Sequence, residues 1–180
     1  RPEAIKMAPL ILELKNYSEI FNVEVCCTGQ HKEMFEDAFN SFDLEADVFL
    51  NVMHNKQTLS SLTEMILNKL STYFEDSSPE LVLVHGDTTT AMAAALSAFY
   101  KKILIGHVEA GLRTYNIESP FPEEFNRRSI SLTANYHYAP TSRSKQNLLE
   151  EGILSENIFI TGNTVIDALI YTTNNFKKNY

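Results

Sequence analysis

Short apolar runs of strand length alternate along the chain with longer stretches whose apolar residues recur every three or four positions. The runs at residues 23–27, 47–50, 81–85, 103–108, 136–139 and 158–160 predict six strands. Helical spacing covers residues 3–14, 32–42, 58–74, 89–100, 123–133, 142–150 and 165–173. A helix after almost every strand predicts an α/β, Rossmann-like fold, a parallel sheet with helices on both faces. Parallel neighbours must be joined by crossovers long enough to hold a helix. The first helix has no strand ahead of it. In the common doubly wound order that strand lies mid-sheet, so strands 23–27 and 81–85 are expected to flank an unoccupied lane. With no initial Met and no second set of strands after residue 173, residues 1–180 are expected to be one Rossmann-like domain of a longer protein. Its first strand and a carboxyl-terminal domain would lie outside this chain.

Ligands of open parallel sheets bind beyond the carboxyl ends of the strands, where loops and helix N-termini converge. Five polar clusters fall on that edge: Arg1-Pro2-Glu3, Thr28 to His31, His85 to Thr90, His107 to Thr114, and Pro120 to Arg127. Each has a plain structural reading beside the chemical one. Asp87 precedes three threonines and a helix, so it serves as an N-cap or as an acid. Glu109 closes a strand expected to be buried, where a carboxylate needs either a function or an ion pair with Arg113. Glu123 and Glu124 open a helix with Pro122 at its first position, and the helix dipole alone accounts for at least one of them. His85 and His107 are structural strand-end residues or, with Asp87 and Glu109, members of a mixed N/O metal site. His31 caps a helix or touches ligand, and His54 and His137 stand apart from any cluster. In the turn from Thr161 to Thr164, Asn163 or Thr164 is a cap.

Composition narrows the field. The 180 residues are 44% hydrophobic, enough for a sizeable core, which excludes a wholly disordered chain. Against 23 Asp and Glu stand 15 Lys and Arg, a net −8 with no basic run, so a surface for collecting nucleic-acid phosphates is excluded. No apolar stretch approaches the roughly 18 residues of a membrane helix and no signal peptide opens the chain, so a soluble protein without a membrane partner is expected. The adjacent Cys26 and Cys27 sit in an apolar run and point to opposite faces, which favours buried reduced thiols in a cytoplasmic protein over a disulfide or catalytic thiol.

Taken in order, the segments RPEAIKMAPL, TGQHKEMF, LVHGDTTTAMAAALSAFY, GHVEAGLRT, SPFPEEFNRR and FITGNTVIDAL resemble the non-hydrolysing UDP-N-acetylglucosamine 2-epimerases. The resemblance runs over nearly the whole chain. It implies the amino-terminal half of a two-domain, glycosyltransferase-B-type enzyme, homodimeric when full length. The implied reaction is reversible conversion of UDP-N-acetylglucosamine to UDP-N-acetylmannosamine, for cell-envelope or capsule polysaccharides. UDP is eliminated and added back through a 2-acetamidoglucal intermediate, with no metal and no redox cofactor. By the same resemblance Asp87, Glu109 and Glu123 are the catalytic acids. Arg1, Lys6 and Arg127 contact substrate and UDP, Gln30 and His31 belong to a loop associated with a second substrate molecule, and Arg113 and Asn163 are further substrate-binding candidates. This half alone is expected to be inactive. The alternatives are a non-catalytic sugar-nucleotide-binding module, a hydrolysing epimerase, and a glycosyltransferase of the same architecture.

Overall fold

The computed structural model describes residues 2–29, 32–54 and 56–178. The chain divides into two compact units, Arg1–Met53 with Asn163–Tyr180, and His54–Gly162.

In the first unit α1 (Pro2–Asn16), β1 (Cys26–Cys27), α2 (Lys32–Asn40) and β2 (Val48–Phe49) are joined by α7 (Thr164–Lys178) at the far end of the chain. Ala4, Ala8 and Ile11 fall on one stripe of α1 and are buried with Ala38, Phe39, Phe42, Leu44 and Ala168. Phe42 stacks on Tyr171 of α7 with ring centroids 5.1 Å apart. β1 and β2 pair in parallel, Cys26 opposite Val48 and Cys27 opposite Phe49. Both strands are shorter than the apolar runs predict. The Val25 N–H donates to Asp47 Oδ2 at 2.7 Å, so a side chain takes the donor that would extend the ladder. Both cysteines are free, and burial is the leading cause that raises their pKa values, Cys26 to about 12. The thiols therefore stay protonated and unreactive.

The second unit holds a four-stranded parallel sheet in the order β3 (Leu81–His85), β4 (Leu104–Val108), β5 (Tyr136–Ala139), β6 (Ile158–Ile160). β1 and β3 thus belong to different sheets. Around the second sheet run α3 (Leu59–Ser77), α4 (Thr89–Tyr100), α5 (Glu123–Thr133) and α6 (Ser142–Glu150), with a 3₁₀ turn at Ser155–Asn157 that apolar spacing does not reveal. Leu62, Ile66, Leu70 and Phe74 form the buried stripe of α3, which starts at a reciprocal cap between Thr58 and Ser61. The buried face of α4 is alanine-rich (Ala91, Ala93, Ala95, Ala98), and these small side chains let it pack against α3, α5, β3 and β4 together. Among the described residues no helix is long and apolar enough to cross a membrane.

Candidate functional site

The carboxyl ends of β3 and β4 and the first turn of α5 build one site inside the second unit. β3 ends at His85, and the chain turns at Gly86, φ +68°, whose N–H donates to Val108 O at 2.9 Å. Glycine takes this left-handed conformation without steric cost. The Gly86 carbonyl accepts from Nε2 of His107, 2.7 Å away and fully buried. Burial is the chief influence that drops the His107 pKa to about 3, so the ring is neutral, Nε2 carries the proton and Nδ1 is left without a partner.

Asp87 does not cap α4. Thr88 does, accepting from the Ala91 N–H at 3.1 Å. That leaves the Asp87 carboxylate to Arg127, whose Nη2 donates to Oδ2 at 2.5 Å, while the Asp87 carbonyl accepts from Asn126 Nδ2 at 2.9 Å. Burial pushes the Asp87 carboxyl above its ordinary pKa; Arg127 pulls it back, and the negative charges of Glu123 and Glu109 raise it further. Two of the acids named from the sequence, Glu109 and Glu123, thus act electrostatically on the third, Asp87, although they come from three segments. Glu109 lies at the end of β4 with φ +65°, a conformation that costs a non-glycine residue on the order of 1 kcal/mol and that clusters at working sites. A Cβ added to Gly86 would lie 3.8 Å from Glu109 Oε2, and His85 Nε2 is 3.7 Å from the same oxygen.

α5 begins at Glu123, as expected, with Pro122 as its N-cap and not its first helical residue. Glu123 is half-buried, whereas Glu124 is 0% exposed. The Thr114 N–H donates to Glu124 Oε2 at 3.0 Å and the Tyr115 N–H to Oε1 at 3.1 Å, while Arg127 Nη1 stands 3.5 Å from Oε2. Glu124 is thus the structural member of the pair, though it satisfies loop amides instead of merely facing the helix dipole.

Arg113 requires a correction. It does not pair with Glu109, and its side chain is 0% exposed. Nε and Nη2 grip the two oxygens of Glu151 at 2.8 and 2.7 Å, Nη2 also reaches Ser131 Oγ at 2.8 Å, and Nη1 donates to its neighbour's carbonyl, Leu112 O, at 2.8 Å. A guanidinium held in this way acts as a structural tie between the loop after β4, α5 and the end of α6. The mixed metal site is not formed either: His107 is committed to Gly86, and among the described residues no group of three or more His, Cys, Asp or Glu is arranged to hold a metal ion. His137 is buried opposite His107 in the β4–β5 register, a structural residue. Lys6 and Asn163 belong to the first unit, where Asn163 Oδ1 caps the start of α7 by accepting from the Val165 N–H at 3.0 Å. Arg1, Gln30 and His31 lie outside the described residues.

Glu124, Asn126, Ser131 and Glu151 hold the site together and were not singled out as site residues from the sequence. For Glu124 a signal existed, since an acid three residues before Arg127 on a helix is positioned to meet it. Glu151 offers none, being 38 residues from its partner.

A family model for UDP-N-acetylglucosamine 2-epimerase matches residues 13–180. The chain is 52% identical over 177 residues to a UDP-N-acetylglucosamine 2-epimerase of Neisseria meningitidis, covering 98% of this chain and 47% of that protein. The enzyme of the same name from Bacillus subtilis is 53% identical over 169 residues, covering 94% and 44%. Among solved structures, the N. meningitidis epimerase bound to UDP-GlcNAc matches with a TM-score of 0.95 at 52% identity, over 98% of this chain and 48% of that one. The Methanocaldococcus jannaschii epimerase in complex with UDP-GlcNAc and UDP matches with a TM-score of 0.87 at 35% identity, over 95% and 46%. The chain therefore spans less than half the length of these relatives.

Proposed function

Because the chain belongs to the UDP-N-acetylglucosamine 2-epimerase family, we propose that the intact protein interconverts UDP-N-acetylglucosamine and UDP-N-acetylmannosamine without net hydrolysis. The observation that supports this reading is the ion pair of Arg127 with Asp87 beyond the end of β3, where the charges of Glu109 and Glu123 bear on the same carboxyl. No carbonyl acidifies the proton on sugar C2, so direct abstraction is unfavourable. Elimination solves the problem. The C2–H bond breaks with the proton passing to a carboxylate, its electron pair forms the C1=C2 bond, and the C1–O bond breaks to release UDP. Protonation at the opposite face of C2 with re-addition of UDP at C1 gives the epimer. Both faces need a proton-transfer group, which explains several carboxylates. Arg127 supplies positive charge where the diphosphate departs. Complexes of relatives with UDP-GlcNAc and UDP support the ligand class. We further assign Lys6, Asn163, Arg1, Gln30 and His31 to the substrate side, and a cytoplasmic homodimer to the intact protein.

The test is incubation of the intact protein with UDP-N-acetylglucosamine in deuterated water, followed by proton NMR. UDP-N-acetylmannosamine deuterated at C2 is expected. Free N-acetylmannosamine with stoichiometric UDP would make the enzyme a hydrolysing one, and no turnover would leave a binding module.

A further inference from the structure

Asp87 is held through the main chain on both sides: His107 holds the carbonyl of the preceding Gly86 and Asn126 holds the Asp87 carbonyl. Its carboxylate is held by Arg127, which is itself not free to follow it. The Arg127 guanidinium is 12% exposed, reaches Asp87 through Nη2 and stands by Glu124 through Nη1, and its Nε is buried without a partner. With few other restraints, the pose of the fork depends on these two carboxylates. Glu124 in turn is fully buried and takes both backbone N–H groups of Thr114 and Tyr115, the latter at φ +60°. The loop after β4, the first turn of α5 and the Asp87 carboxylate thus form one connected path through a single buried acid.

Resting on the epimerase reading of Asp87, we propose that Glu124 is a positioning residue: it braces Arg127 against the Thr114–Tyr115 backbone and so sets how strongly Arg127 holds Asp87. Glu124 shares the guanidinium with Asp87, which keeps Arg127 from neutralising Asp87 completely. The charged groups facing Asp87 are Arg127 and Glu123 from α5 and Glu109 from the end of β4, with His85 beside Glu109. Loss of Glu124 would turn the whole fork to Asp87 and stabilise its anion, lowering the pH at which it titrates.

The experiment uses the intact protein with Glu124→Gln, following the acid limb of kcat/KM and, in parallel, the carboxyl ¹³C resonance of Asp87. In E124Q both are expected to move to lower pH by about one unit. In an Arg127→Met background, E124Q is expected to cause no further shift. Glu124→Asp is the second variant and serves where E124Q does not fold. It keeps the charge that the loop amides need but withdraws it from Arg127, and the shift is expected in the same direction. A folded variant whose Asp87 titrates at the wild-type pH would overturn the proposal, as would an E124Q shift that persists in the R127M background. The ¹³C titration separates the two claims: absence of C2 exchange in the wild type would reject the epimerase reading alone, whereas an unmoved ¹³C titration would reject the positioning role alone.

Discussion

Replacing Arg113 with Met decides between its two readings, ligand or structural tie. The guanidinium is 0% exposed and makes four hydrogen bonds, two of them to Glu151, whose side chain is 21% exposed. Methionine fills much of the same space, so the cavity contribution is small. The cost comes chiefly from stranding a partly desolvated carboxylate, since Ser131 Oγ keeps its bond to the Arg127 carbonyl at 3.0 Å. Removing one partner of a buried ion pair costs about 3–5 kcal/mol, and the partial hydration of Glu151 places this case near 3 kcal/mol. At a urea dependence of about 2 kcal/mol/M, the unfolding midpoint should fall by about 1.5 M. The assay is urea denaturation of the intact protein followed by far-UV circular dichroism, beside KM for UDP-N-acetylglucosamine measured below the transition. A large midpoint loss with KM nearly unchanged is expected. If the midpoint stays within about 0.3 M of wild type while KM rises tenfold or more, the structural reasoning fails and Arg113 is a substrate ligand after all. Glu151 supplies an internal check. Its carboxyl is held below the ordinary value chiefly by the Arg113 hydrogen bond, so its stabilisation is present above the ordinary carboxylate pKa and lost as pH falls through the folded value. R113M should abolish that acid-side dependence.

Three further outcomes follow from the geometry. His107 and His137 are buried neutral, lowered mainly by desolvation from 6.5 to about 3 and about 4. Their stabilisation is complete above pH 6.5 and lost as pH falls below it, by about 1.4 kcal/mol per pH unit for each, readable as urea midpoints between pH 7.5 and 4.5. Gly111→Ala would set a Cβ 2.3 Å from the Ser144 carbonyl oxygen at φ +86°, so a loss above about 3 kcal/mol in thermal or urea unfolding is expected. Gly152→Ala, at the same φ +86° with nothing within 4 Å, should cost only about 1–2 kcal/mol, which isolates the steric part.

Much of the sheet was legible in the chain's patterning. The predicted bounds of β3, β5, β6, α4, α5 and α6 coincide with the structure because turn or cap residues punctuate their apolar runs. The short β1–β2 pair was less so, since Asp47 intercepts a ladder donor from 22 residues away. At the site, position on the strand-end edge was enough to group Asp87, Glu109 and Glu123. The partners of those residues were not legible. Asp87 and Arg127 lie 40 residues apart, and Arg113 and Glu151 38 apart, so the choice of Glu151 over the nearby Glu109 depends on how α5 and α6 pack and not on local spacing. Thr88 and not Asp87 is the helix cap because its hydroxyl, one residue nearer α4, meets the Ala91 amide, while the Asp87 carboxylate is taken by Arg127.

The central claim is that Asp87, Glu109 and Glu123 carry the proton transfer at C2, and the most direct measurement is the rate of C2 deuterium incorporation by D87N, E109Q and E123Q variants of the intact protein, set beside their affinity for UDP. Each variant should slow exchange by about 10²–10⁴-fold while UDP binds within a few-fold of wild type, because a proton-transfer group acts mainly in the transition state. Exchange at the wild-type rate in any folded variant, or a loss of UDP binding equal to the loss of exchange, would contradict it.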